Sequence, residues 1–353
     1  MTQPLGWVTE QELRNMANRT ITARGIASIV ALSVKARWSP FRTFPDRRML
    51  LVEPLSLAEE KTNRLRRIYA KCTANVWDGP SVFREAVLRH EGIQLDPEKR
   101  VALASIVTRL MWGELAAWLV SAELAERLDD PDARLAASSQ VFDEARHFYI
   151  LRDYLALLHV PVPALDPYFA VALRSLLSTR DLTVKLFSMQ ILVEGAAQAI
   201  FRFLSDRAVE PVLTEILPYI ARDEARHVGL GVIHLPEVLA RMSRRDCRRV
   251  ATRVRSIGDL VGVSFAREIR NFEALGLDPR ELFRQADAAL TSLSEKLGVV
   301  PGTEERYFST DDPSSAEYAD KLRLLFPEAG QEPSLTAQLF YRLVDLGTTM
   351  LPS

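Results

Sequence analysis

The pentapeptide Asp-Glu-Ala-Arg-His occurs at residues 143–147 and again, unchanged, at residues 223–227. A shorter pair has the same offset of 80 positions, because Glu114-Leu-Ala-Ala is matched by Glu194-Gly-Ala-Ala. In both copies the single glutamate precedes the glutamate of the pentapeptide by 30 positions. The chain therefore contains an internal repeat, and each copy has the length of one helical hairpin.

The two copies also place their glutamates at the same depth. Residue 129, midway between Glu114 and Glu144, begins the turn sequence Asp-Asp-Pro-Asp, and residue 209, midway between Glu194 and Glu224, precedes Glu-Pro. Proline after a polar residue is typical of the start of a helix. At a rise of about 1.5 Å per residue, each glutamate lies roughly 22 Å from its turn. We therefore expect two antiparallel hairpins whose four glutamates are level with one another.

Each pentapeptide adds a histidine at this level. Positions i and i+3 share one face of a helix, so Glu144 and His147 can point to the same place. Glu224 and His227 have the same spacing. Four helices are thus predicted to supply four carboxylates and two imidazoles to one region of the bundle.

Burial makes these carboxylates costly unless their charge is compensated. Glu194 is the only ionisable residue between Leu186 and Phe201, so its helix is apolar on nearly all sides and is predicted to be buried. An unpaired buried carboxylate takes up a proton or destabilises the fold by several kcal/mol. Two divalent cations would neutralise four glutamates, and mixed carboxylate and imidazole ligands suit iron or manganese.

The same residues also have a purely structural interpretation. A single Glu-x-x-His on a helix is most often part of a solvated face, and Glu114 and Glu194 can form salt bridges with Arg109 or Lys185. Four acidic elements at matched depth on apolar helices favour the metal site over this alternative.

The composition excludes several classes of protein. The 353 residues are 48% hydrophobic with a net charge of −1, so no overall positive field attracts nucleic acid. Cys72 and Cys247 lie 175 positions apart, which argues against a disulfide scaffold or a thiolate zinc site and fits a cytoplasmic protein. No uncharged apolar run reaches the roughly 18–20 residues of a membrane span, so we predict that the chain neither crosses a membrane nor is exported.

The pattern along the chain predicts an all-α fold in a single domain comprising residues 1–353. Residues 1–96 are interpreted as a basic arm followed by helices, residues 97–241 as the four-helix core, and residues 242–353 as C-terminal helices and a tail. Helices are predicted at about 55–77, 97–128, 132–159, 181–206, 210–241 and 243–275, with another from 279 and two short ones at about 314–326 and 333–348. The segment 160–180 is predicted to be a connection with a short helix.

These motifs resemble those of the ferritin-like di-iron carboxylate superfamily, whose four-helix bundles bind two irons. The resemblance covers about residues 97–241. It implies that one iron is bound by Glu114, Glu144 and His147, and the other by Glu194, Glu224 and His227, with Glu144 and Glu224 able to bridge.

The doublet Asp-Glu-x-Arg-His is most similar to that of the hydroxylase subunits of bacterial multicomponent monooxygenases. This likeness implies hydrogen bonds from Asp143 to His227 and from Asp223 to His147, and Arg146 and Arg226 could hold the two aspartates. The alternative for both arginines is an ordinary surface position.

Three positions depart from related patterns. Gln198 stands where those hydroxylases have a threonine, and Ile220 stands where the N-oxygenases of the superfamily have an extra histidine. Leu151 occupies the position at which a ribonucleotide reductase small subunit would need a tyrosine, which argues strongly against that function. Acyl-carrier-protein desaturases share the length and ligand order but differ around each Glu-x-x-His.

The resemblance implies an O2-dependent di-iron oxidoreductase, with a monooxygenase expected, that holds two iron ions or an Mn/Fe pair. The reaction could be hydroxylation, N-oxygenation or desaturation of a small or carrier-bound acyl substrate; the alternative is a ferroxidase or iron-storage protein. Small residues beside the ligands predict a substrate or O2 pocket at Gly113, Ala117 and Ala197, with Gln198 as its polar contact. A homodimer is expected.

Seven arginines between residues 241 and 255 form a basic stripe at helical spacing. Such a stripe could bind an acidic electron donor such as a ferredoxin or its reductase, or an acyl carrier protein. The alternative is a solvated face paired with acids of the same chain.

Overall fold

The described part of the chain is built of helices and contains no strand, in agreement with the predicted all-α class. A computed structural model describes residues 64–298. Its helices are α1 (Arg64–Ala74), α2 (Gly79–Arg89), α3 (Pro97–Arg127), α4 (Pro131–Leu157), α5 (Pro167–Ser178), α6 (Leu182–Phe187), α7 (Glu194–Asp206), α8 (Pro211–Ala240), α9 (Arg244–Ala266), α10 (Ile269–Ala274) and α11 (Pro279–Leu297). A π-helical turn, Ser188–Val193, joins α6 to α7.

The two hairpin turns are fixed by the polar residues predicted to lie there. Asp130 accepts hydrogen bonds from the backbone amides of Asp132 and Ala133 at 2.8 and 2.9 Å and so caps α4. Glu210 caps α8 through the amide of Leu213 at 2.9 Å, and its carboxylate also accepts a bond from the hydroxyl of Tyr154. The backbone amides in the first turn of a helix have no partner within the helix. These two caps provide hydrogen-bond acceptors for them, so α4 and α8 can begin directly after the turns.

The core is a four-helix bundle of α3, α4, the α6–α7 unit and α8. α3 packs along α4, α7 packs along α8, and α8 also contacts α4. The remaining helices cover this bundle: α1 lies against α4 and α8, α9 against α5 and α6, α10 against α3, and α11 against α7. The duplicated hairpin predicted from the repeat is confirmed.

Two helices, α3 and the continuous stretch Leu182–Asp206, are long and apolar enough to cross a membrane. Their most apolar windows are 67% and 78% buried within the protein. Each also carries one of the buried glutamates, Glu114 or Glu194. Both stretches are therefore core helices of the bundle.

The predicted helix at 243–275 is interrupted, which corrects that boundary. α9 ends at Ala266 and α10 begins at Ile269. Between them Glu268, only 4% exposed, turns inward and contacts the Arg109 guanidinium at 2.8 Å. Residues 55–63 and both helices predicted after residue 298 lie outside the described residues, so the single domain over 1–353 stays a prediction.

The π-helical turn fits against α8 only because Gly231 has no side chain. A Cβ atom at Gly231 would lie 2.7 Å from Cβ of Gln190 and 2.8 Å from Cδ1 of Ile191, both in the π-helical turn. Glu194 follows that turn directly, and His227 lies one helical turn before Gly231. The close packing of these two elements therefore sets the position of Glu194.

We expect Gly231→Ala to destabilise the protein by about 1–3 kcal/mol, because the methyl group overpacks this contact. The measurement is the free energy of unfolding in denaturant. Gly262→Ala is the matched control, because a Cβ there meets no atom within 4 Å; that change should leave stability equal or raise it by up to about 1 kcal/mol. Equal effects of the two changes would contradict the packing argument.

Candidate metal centre

The six side chains predicted as ligands meet at the centre of the bundle. They form two groups in which one ligand atom from each residue lies within 4.8 Å of the others. The groups are Glu114, Glu144, His147 and Glu224, and Glu144, Glu194, Glu224 and His227. All six side chains are buried, with exposed fractions of 4% or less. Glu144 and Glu224 belong to both groups and therefore lie between the two positions.

Each imidazole faces the carboxylates through its Nδ1 atom. Nδ1 of His147 lies 3.0 Å from Oε1 of Glu224, 3.3 Å from Oε2 of Glu114 and 3.5 Å from Oε2 of Glu144. Nδ1 of His227 lies 2.8 Å from Oε2 of Glu224 and 2.9 Å from Oε1 of Glu144. The two halves of the cluster thus have the same arrangement, as the internal repeat requires.

Several atoms in this cluster are buried without a hydrogen-bond partner among the described residues. They are Oε2 of Glu114, Oε2 of Glu144, Oε1 of Glu224 and Nδ1 of His147. Buried polar atoms normally have hydrogen-bond partners. Carboxylate oxygens and an imidazole nitrogen that lack such partners and converge on one point suit a bound cation. Carboxylate oxygens and imidazole nitrogens suit iron and manganese, and the cluster could hold two such ions.

The alternative salt bridges to these glutamates are not formed by the described residues. Arg109 binds Glu268 and donates to Oγ of Ser264 at 3.0 Å. Lys185 pairs with Glu123 and donates to the carbonyl of Leu177 at 2.9 Å. Neither cation compensates Glu114 or Glu194.

The burial and negative charge of this cluster favour the protonated form of four of its side chains. Burial, strengthened by repulsion from neighbouring carboxylates, raises the pKa of Glu114 and of Glu194 well above the ordinary value. For His147 and His227 burial alone would lower the pKa, but hydrogen bonds and charges of the surrounding carboxylates outweigh it and raise the pKa well above the ordinary value. A raised pKa favours the protonated form of each of these four groups, so protons compete with metal ions for them.

Metal binding should therefore release protons and weaken as the pH falls. All four groups have a raised pKa, so lowering the pH adds protons that compete with the metal. An anaerobic titration with Mn²⁺ in weakly buffered solution should release several protons, up to about four for two ions. Glu144→Ala, which should bind fewer than one metal ion per chain, should release correspondingly fewer protons. Binding that is independent of pH would contradict the exchange of protons for metal.

Behind the imidazoles lies a buried quartet of two aspartates and two arginines. Nε2 of His227 lies 3.3 Å from Asp143, and Nε2 of His147 lies 3.2 Å from Asp223. Arg146 donates to Asp143 at 2.5 Å and to Asp223 at 2.7 Å; Arg226 contacts the same two carboxylates at 2.8 and 2.7 Å. The structure thus places the arginines inside the protein, not on its surface.

The charges of this quartet fix which groups are ionised. Burial alone would raise the pKa of Asp143, but the hydrogen bond and charge of His227 lower it to about 2. His147 has the same effect on Asp223, whose pKa also falls far below the ordinary value. Both aspartates are therefore anions that accept from the imidazoles and hold the two rings in place.

Three buried residues that contact the cluster could not be found from the sequence motif. Gln140 donates to Glu144 at 2.9 Å and to Glu194 at 2.8 Å. The indole of Trp77 donates to Asp223 at 2.7 Å, and the thiol of Cys72 lies 3.5 Å from Asp143. The position of Gln140 one helical turn before Glu144 is a weak signal. Trp77 and Cys72 give none, because α1 and the segment after it reach the cluster only in the folded chain.

A small apolar cavity lies beside Glu114 and Glu194. Its volume is about 30 Å³, and its wall includes the predicted Gly113, Ala117 and Ala197, with Phe169 and Phe265 opposite. This space holds about two water-sized molecules. Gln198, predicted as the polar contact, is not among the residues that line this cavity. It lies one helical turn after Glu194, and its amide points to the carbonyl of Ala221 on α8 at 3.5 Å.

No family model and no curated protein matches the sequence. Among solved structures, an R2-like ligand-binding oxidase mutant with an Mn/Fe cofactor aligns with a TM-score of 0.54 and 16% identity over 65% of this chain and 93% of its own. Another mutant of such an oxidase, with an Fe/Fe cofactor, gives 0.57 and 14% over 72% and 99%. A Bacillus halodurans structure described as a class I ribonucleotide reductase gives 0.53 and 18% over 66% and 91%. The chain thus shares the ferritin-like helical-bundle fold of these proteins.

Proposed function

We propose that the protein is an O2-dependent oxidoreductase with two metal ions, Fe/Fe or Mn/Fe, bound to the six clustered side chains. The observation that supports this proposal most directly is the pair of four-residue groups that share Glu144 and Glu224. Glu114 and His147 complete one position, and Glu194 and His227 complete the other. Two reduced metal ions bound by these residues would supply the electrons that activate dioxygen.

The chain's own residues prepare this chemistry. Asp143 and Asp223 hold the imidazoles by their Nε2 atoms, so the Nδ1 atoms face the glutamates with which they would bind metal. Gln140 fixes the orientation of Glu144 and Glu194. The cavity beside Glu114 and Glu194 has a mostly apolar wall, which disfavours water on the side on which O2 and substrate would approach.

The substrate in this proposal is a small or acyl-type organic molecule that is hydroxylated, N-oxygenated or desaturated. The cavity in its present form accommodates a molecule of the size of O2, so a substrate of more than a few atoms requires the surrounding side chains to move. Phe169 and Phe265, which contact each other with ring centroids 6.1 Å apart, form the wall that must move.

Electrons would reach the site from an acidic protein such as a ferredoxin or reductase. The seven arginines at residues 241–255 are all exposed on and just before α9. The intrachain salt bridge found for them in the described residues is Arg249 with Asp246, at 2.9 Å. This face therefore carries excess positive charge that an acidic donor could complement.

The test combines metal content with oxygen consumption. Protein loaded anaerobically with Fe²⁺ should hold about two irons per chain and consume O2 with an accompanying change in its optical spectrum. Iron uptake that continues aerobically to many ions per chain would instead establish a ferroxidase or storage protein. Absence of any iron binding would refute both functions.

Ala117→Leu should slow the reaction with O2 several-fold while leaving the iron content unchanged, because three added carbons fill the cavity beside Glu114. The measurement is the rate of oxidation of the Fe²⁺-loaded protein by stopped-flow absorbance. Ala122→Leu is the same change at an exposed position of α3 and should have no effect. Equal rates in all three proteins would show that O2 does not use this cavity.

A further inference from the structure

A second group of side chains that could hold a metal ion lies at the end of the bundle, at the turn between α3 and α4. One ligand atom each of Asp130, His234 and Glu237 lies within 4.8 Å of the others. His234 is ten residues from Glu224 on α8, so the group lies about 15 Å from the dinuclear cluster along the helix. It shares no residue with that cluster.

The central observation is the state of His234. This side chain is only 6% exposed, and its Nδ1 atom has no hydrogen-bond partner among the described residues. A buried imidazole nitrogen without a partner is unusual in a folded protein, and this nitrogen is available to a metal ion. Burial also lowers the pKa of His234, which keeps the ring neutral, the form that binds metal.

The other two residues supply anionic oxygens around this ring. Asp130 uses Oδ1 for the backbone amides of Asp132 and Ala133, which leaves Oδ2 available. Glu237 is one helical turn after His234 and is exposed, so an ion has access from solvent. The neighbouring charges are Asp129 and Arg241, so the surroundings of the ring remain net negative.

We propose that Asp130, His234 and Glu237 bind a divalent transition-metal ion, with Zn²⁺ as the best match, which ties the α3–α4 turn to α8. One imidazole and two carboxylates form a mixed nitrogen and oxygen set of the kind Zn²⁺ accepts, with water at the remaining position. Mg²⁺ and Ca²⁺ prefer oxygen ligands alone. The site does not depend on the chemistry of the dinuclear cluster.

The test is a calorimetric titration of Zn²⁺ into protein whose dinuclear site already holds iron. The wild type should bind one zinc per chain with its iron content unchanged, and zinc should raise Tm by several degrees because the ion binds only the folded chain. His234→Gln should weaken zinc binding at least 10-fold and remove the increase in Tm. His159→Asn, a change at an exposed histidine, should behave as the wild type.

A second variant separates metal binding from folding. Asp130→Asn keeps a residue that caps helices as well as aspartate does, but removes the charge. It should fold normally and bind zinc at least 10-fold more weakly. The proposal is overturned if the wild type binds no zinc beyond its iron, if zinc enters only as iron leaves, or if these variants bind it equally well.

Discussion

In Glu144→Ala and in Glu224→Ala, iron content should fall from about two ions per chain to fewer than one. Each of these glutamates belongs to both ligand groups, so removing one carboxylate takes a ligand from both ions at once. Loss of a ligand lowers the affinity at both positions, and the shared negative charge that holds two cations together is also lost. Metal analysis after anaerobic loading and desalting measures the result.

Two further variants distinguish loss of metal from loss of the folded state. Buried carboxylates are costly in the metal-free protein, so Glu194→Gln should leave the metal-free Tm unchanged or raise it while still weakening metal binding. Glu85→Ala, a change at an exposed glutamate of α2, should retain both ions. Retention of two ions in both Glu144→Ala and Glu224→Ala would refute the proposed centre.

In Asp223→Ala, the free energy of unfolding of the metal-free protein should fall by about 3–5 kcal/mol. Asp223 is fully buried and contacts Arg146, Arg226, His147 and Trp77. The side chains of Arg146 and Arg226 are only 8% and 9% exposed. Without Asp223, Asp143 is the one carboxylate of the quartet that remains to pair with them. Two buried cations would then share one anion, and a Tm lower by on the order of 10 °C is expected.

The control for this change is Asp153→Ala. Asp153 pairs with Arg152 at 2.7 Å, but both side chains are about half exposed, so the loss should be at most about 1 kcal/mol. Asp223→Ala should also weaken metal binding about 10- to 100-fold, because His147 loses the acceptor that orients it. A stability loss as small as that of the control would show that the quartet contributes little.

Much of the centre could be predicted because the repeat is local. Spacings of three residues within a helix, and of 30 residues across a hairpin with a central turn, fix where Glu114, Glu144 and His147 meet. Those distances follow from helix geometry alone and do not depend on the packing of other elements. The apolar surroundings of Glu194 likewise follow from its own helix.

The helical class, the duplicated hairpin and the level at which the six side chains meet follow from spacings within the sequence. The folded chain was needed to show that Arg146 and Arg226 are buried, that Trp77 and Cys72 reach the aspartates, that the amide of Gln198 faces Ala221 and that His234 meets Asp130. These contacts join helices distant in the chain, and their direction depends on how α1, the π-helical turn and α8 pack. Packing of this kind is set by the shapes of all the contacting side chains together, and no local spacing encodes it.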